Sequence, residues 1–148
     1  MKRRFGLLLA MLTTMALIVG VVGVASVGAT KKGTEGCTPG YWKQSQHFDS
    51  WVGYAPGNQF NSVFDNAFPG KSLLDVLRPQ SAGPNVNLNA LGRHTVAALL
   101  NASSSVDYPY SESDVISMFN DVWPGSNAEY LAQKDIFAGF NELGCPLN

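Results

Sequence analysis

Cys37 and Cys145 are the only cysteines in the 148-residue chain, and no other sequence feature limits the fold as much. They stand 108 residues apart and bracket nearly everything that follows the N-terminal segment. In an exported protein an even cysteine count points to a disulfide. Closing a loop of this length stabilises a fold by about 4–5 kcal/mol on the chain-entropy account, comparable to the whole stability of a small domain. The alternatives are two separate thiols or a zinc site, and neither Cys has a second Cys or His at ligand spacing. Pairing predicts that the first and last ordered segments lie side by side.

The N-terminal residues decide the compartment. Lys2, Arg3 and Arg4 precede an almost unbroken apolar run over residues 5–24, and Val27-Gly28-Ala29 offers a signal-peptidase pattern. A cleaved signal over residues 1–29 is the simpler reading. The run is also long enough to span a bilayer, so an uncleaved N-in anchor competes. Either way residues 30–148 are expected to be secreted or tethered to the outer face of the cytoplasmic membrane, with membrane contact only through residues 5–24. Removing the segment leaves seven basic against eleven acidic side chains, a net charge of −4. No Lys or Arg run remains to neutralise phosphates, which excludes a nucleic-acid partner. Low charge with 11% aromatic residues excludes disorder.

Residues 30–36, with Lys31, Lys32 and Gly33, read as a flexible tether, and residues 37–148 as one helical domain. Residues 40–56 are aromatic-rich and bounded by Pro39-Gly40 and Pro56-Gly57, which predicts an irregular segment packed across the helices. Phe60, Val63, Phe64, Ala67 and Phe68 lie at helical spacing, ended by Pro69-Gly70. Ser72 with Asp75, Ser111 with Asp114, and Ser126 with Glu129 are capping-box starts for three further helices. Residues 88–102 are apolar over much of their circumference, as a central helix requires. No stretch alternates with period two. The fold class is all-α, about five helices closed by one N-to-C-terminal disulfide. Residues 62–70 (SVFDNAFPG) also resemble residues 117–125 (SMFNDVWPG), a short match open to reading as a duplicated helix pair.

Chemistry-bearing motifs are sparse. Gly70-Lys71-Ser72 ends like a P-loop, but Asp65 stands where the first Gly belongs. No metal site or cofactor is expected: Asp107, Glu112 and Asp114 cluster, yet Glu112 and Asp114 suit a helix N-terminus. Asn101-Ala102-Ser103 is an N-glycosylation sequon. His47 with Asp49, and His94 with Arg93, are the candidates for a polar or catalytic site, with no nucleophile elbow beside them. Trp42, Trp51 and Tyr54, with Tyr41, either form an exposed stacking platform or fill the core.

Cys37-Thr38-Pro39-Gly40-Tyr41-Trp42-Lys43 resembles the signature of exported microbial domains with a CTPGYWKNH motif. Residues 91–102 resemble that family's R-H-x-V-A-A-L-L-N-A helix, and residues 141–146 its usual ending. Gln44-Ser45 stands where the family has Asn-His, so a role for that His is absent or passed to His47. The resemblance implies an exported, surface-associated module of uncharacterised function and no reaction. The expected role is therefore non-enzymatic, structural or interacting with an extracellular protein or polysaccharide. A polymer-binding module using residues 41–54 is the second reading, and an extracellular hydrolase using His47 or His94 the third.

Overall fold

The capping boxes set the frame of the computed structural model, which describes residues 33–80 and 83–147. Ser72, Ser111 and Ser126 each accept a hydrogen bond from the backbone N–H three residues on, while the Asp or Glu there accepts from the Ser backbone. They open α2 (Leu73–Leu77), α4 (Glu112–Asn120) and α5 (Asn127–Asn141). Before them, Thr38 caps α1 (Pro39–Trp42), whose first residue is proline; a fixed φ and a missing N–H suit that position. The long helix α3 (Val86–Ser103) completes the set. No strand forms among the described residues, and the all-α class with its disulfide is what the structure has.

Helix α3 is the centre. Every residue from Thr95 to Asn101 is buried, so this stretch is enclosed on all sides, and α1, α2, α4 and α5 all lie against it. Gly92 permits one of these approaches: a Cβ there would stand 2.6 Å from the Phe68 ring and 2.9 Å from Val76.

Two stretches depart from expectation. Residues 60–68 are not an α-helix; a 3-10 turn at Phe60–Ser62 gives way to bends. The ends of this stretch are tied together, Phe60 N–H donating to the Lys71 carbonyl at 2.9 Å and Leu73 N–H to the Asn58 carbonyl at 2.8 Å. Within it Asp65 N–H donates to Asn120 Oδ1 at 3.0 Å and Ala67 N–H to the Asp65 carbonyl at 2.7 Å, bonds that stand where helical pairs to the residue four before would be. The apolar spacing is used all the same: Phe60 packs on Phe64, Phe68 and Phe119 with ring centroids 4.6, 4.9 and 5.2 Å apart. Residues 117–125 do end a helix, so the two similar segments are not a repeated helix pair. Residues 40–56 are built of α1 and a second 3-10 turn, Ser45–Ser50.

The described part of the expected tether is docked. Thr34 Oγ1 donates to the Asp107 carboxylate at 3.4 Å, and Asp107 N–H donates to Glu35 Oε2 at 2.8 Å. Gly36 forms an antiparallel bridge with Gly144, its N–H donating to the Gly144 carbonyl at 3.0 Å. Beside it Cys37 and Cys145 are disulfide-bonded, with Cα atoms 4.3 Å apart. Residues 30–32 and the expected signal or anchor over residues 1–29 lie outside the described residues. Among those described, no helix is long and apolar enough to cross a membrane.

Two glycine substitutions test this packing in opposite directions. A Cβ on Gly36 would stand 1.9 Å from the Phe140 carbonyl oxygen, whereas one on Gly139, inside α5, meets nothing within 4 Å. Gly36→Ala is expected to destabilise by about 3 kcal/mol, and Gly139→Ala to stabilise by roughly 0.5–1 kcal/mol by removing a helix-interior glycine. Urea unfolding midpoints read both.

Candidate functional site

Residues 37–43, 91–102 and 141–146 converge on two asparagine side chains. Asn101, on the last turns of α3, and Asn141, at the end of α5, are both fully buried. Asn101 Oδ1 accepts from Cys37 N–H at 2.9 Å and from Trp42 Nε1–H at 3.2 Å. Its Nδ2 donates to the Cys37 carbonyl and to Asn141 Oδ1, each at 2.9 Å. Asn141 Oδ1 also accepts from the Tyr108 hydroxyl at 2.9 Å, and its Nδ2 donates to the His94 carbonyl at 2.9 Å. A primary amide offers two donors and two acceptor positions, and Asn101 uses all four. An Asn bearing a glycan on Nδ2 cannot occupy this position, so the sequon at 101–103 is closed in the fold.

Of the two readings of the aromatics, the tryptophans take the one that fills the core. Trp42 is 0% exposed and Trp51 8%, because each indole N–H has a partner only inside: Trp42 on Asn101, and Trp51 Nε1–H on the Trp42 carbonyl at 3.2 Å. Tyr54 is half-buried, its hydroxyl donating to Glu112 at 2.7 Å. Tyr41 is half-buried too, stacked on His47 with centroids 3.9 Å apart and edge-on to Trp42. Of the four aromatics singled out in the sequence, these two tyrosines keep solvent contact.

The polar candidates are not brought together into catalytic pairs. Asp49 is exposed and accepts from Ser50 Oγ at 3.5 Å, not from His47, whose buried Nδ1 has no hydrogen-bond partner. His94 is half-buried, and its Nδ1 likewise has none. Burial holds its pKa below the ordinary imidazole range, helped by Arg93 and Lys134 against the pull of Glu142 and Asp135. Arg93 buries its Nε without a hydrogen bond and makes no ion pair among the described residues. Among the described residues neither imidazole is hydrogen-bonded to a hydroxyl or a carboxylate. The acidic cluster is spent on structure: Asp107 holds Thr34, Glu112 holds Tyr54, and Asp114 closes the α4 capping box. No group of three or more His, Cys, Asp or Glu among the described residues is arranged to hold a metal.

Sequence reasoning missed Asn101 and Asn141 as a pair. The available signal was local: Asn101 is an amide that directly follows the apolar run Val96 to Leu100, and a polar group there must find buried partners.

Two measurements test the network. Asn101→Leu strands Cys37, Trp42 and Asn141 together and is expected to cost roughly 3–5 kcal/mol, against about 1 kcal/mol for Tyr108→Phe. Alkaline pH reads the tyrosines. Burial, then the bond and charge of Glu112, push Tyr54 up to about 12, and burial, then Tyr110, raises Tyr108 further. Their stabilisation is complete below the unfolded value near pH 10 and is lost as pH rises through the folded values, because the unfolded chain ionises first. Stability should fall between pH 10 and 12, by roughly 1.4 kcal/mol per pH unit from Tyr108, and Tyr108→Phe should flatten that fall in urea titrations. No protein-family model, curated protein or solved structure matches the chain.

Proposed function

We propose that the chain is an exported, disulfide-closed helical domain of the CTPGYWKNH type, with a non-enzymatic structural or interaction role outside the cytoplasm. One observation carries this reading: polar atoms of Cys37, Trp42, Asn101 and Asn141, with the His94 carbonyl, fasten the first segment of the domain to α3 and α5. Cys37 and Trp42 of the first motif, His94 and Asn101 of the second, and Asn141 of the third join one buried network. What the motif specifies is then a way of closing a small domain, and a disulfide-closed fold suits an oxidising compartment. Either N-terminal reading, cleaved signal or retained anchor, delivers it there.

The second reading, recognition of a carbohydrate or envelope polymer, is favoured by the half-exposed Tyr41 and Tyr54. Fractionation of expressing cells, with N-terminal sequencing, tests the export half; retention in the cytoplasm with free thiols would remove it. A glycan array probed with the purified oxidised protein tests the other half. No retained glycan is the expected result, and specific binding lost in Tyr41→Ala or Tyr54→Ala would replace the interaction role with polymer recognition.

A further inference from the structure

We infer that the disulfide is a one-ended exchange site, at which an external thiolate, small-molecule or protein, attacks Cys145 and not Cys37. The two halves of the bond are placed differently. Cys37 is fully buried, lies next to buried Gly36, and has both its N–H and its carbonyl held by Asn101. Cys145 lies beyond α5 in an exposed run, residues 142–146. Thiolate attack on a disulfide sulfur is in line, from the side opposite the sulfur that leaves. Approach to the Cys37 sulfur would pass through the core, while approach to Cys145 comes from solvent.

The step trades one disulfide for another with no net oxidation. The incoming thiolate's electron pair forms a sulfur–sulfur bond to Cys145 and the Cys37–Cys145 bond breaks. Its pair stays on Cys37, which then takes a proton from water. The product is a mixed disulfide on Cys145 and a thiol on Cys37. Burial makes Cys37 a poor leaving group, so the exchange is slow. For the same reason the Cys37 thiol ionises reluctantly once released, which slows its return onto the mixed disulfide. Opening does not free the two ends equally. Cys37 stays on Asn101, and Trp42 stays with it. The segment after α5 keeps the Gly36–Gly144 bond and the partial burial of Leu147. The exchange therefore marks the C-terminal end of the domain covalently and leaves the buried clasp in place. This inference rests on the burial of the two cysteines and not on the proposed function.

Glutathione serves as the probe. The purified oxidised protein is incubated with it without denaturant, quenched with acid, alkylated and mapped by mass spectrometry. Glutathione is expected on Cys145 and the alkyl group on Cys37, in excess of roughly tenfold over the reverse; glutathione on Cys37, or an even split, overturns the proposal. As a second measurement, Cys37→Ser and Cys145→Ser are alkylated with and without urea. The Cys145 thiol should react roughly a hundredfold faster than the Cys37 thiol in native buffer, the difference vanishing in urea. Equal native rates in two folded variants would also overturn it. Where a variant fails to fold, the wild-type map decides alone.

Discussion

The side chain of Asn101 stands in for a strand. The backbone at Cys37 has left one end of the domain and not yet entered α1, so its N–H and carbonyl have no helical partner. Buried, they would cost several kcal/mol unpaired. Asn101 presents a carbonyl and an N–H side by side and closes both, as a neighbouring strand would. Its remaining acceptor and donor take up Trp42 and Asn141. An all-α domain thereby binds a stretch of non-helical chain into its core without a sheet, and the direction of Trp42 and the seat of α5 both follow from where this one amide sits. A fully satisfied buried network of this kind fixes one arrangement more sharply than apolar contact, since every alternative strands a polar group.

The covalent and hydrogen-bonded parts of the clasp act on different states. The disulfide raises the free energy of the unfolded chain by closing a 108-residue loop. The network acts on the folded chain, where it specifies which atoms meet. The disulfide alone would tolerate a range of positions for residues 33–42. With Asn101, and with Gly36 pressed against the Phe140 carbonyl, that range narrows to one.

Much of this organisation is legible in the sequence, and the boundary between what is and is not has a physical cause. The capping boxes at Ser72, Ser111 and Ser126 are legible because both partners of each bond lie within four residues. The central place of α3 follows from an apolar circumference, and the disulfide from the presence of two cysteines only. In place of the helix expected over 60–68, Asp65 N–H is bonded to the Asn120 side chain 55 residues on and the ends are tied through residues 58 and 73, partners invisible to local periodicity. Trp42 and Trp51 are judged from side-chain type as core or surface with equal ease, and what decides is whether each indole N–H has an acceptor inside. For Trp42 that acceptor is 59 residues away. Separations of 40 and 64 residues likewise hide what Asn101, legible only as part of a glycosylation sequon, shares with Asn141 and Cys37. The docking of residues 33–36 is missed for a related reason: Gly, Thr and Glu suit a tether, and only the facing Asp107 and Gly144 turn them into a fastened edge.

A saturated buried amide changes where specificity has to be sought. Asn101, fully buried with all four of its amide positions paired, has no capacity left for a ligand and serves the closing of the domain. The exposed surface must carry any recognition. In this chain it includes the half-exposed Tyr41 and Tyr54 and the outward residues of α5 and the stretch after it, where Leu131, Ile136 and Leu143 face solvent. None of these touches Asn101. Tyr54 and the outward residues of α5 can therefore vary independently of the clasp, which is held by the demand that every buried polar group be paired, whereas Tyr41 is tied to it through its edge-on contact with Trp42.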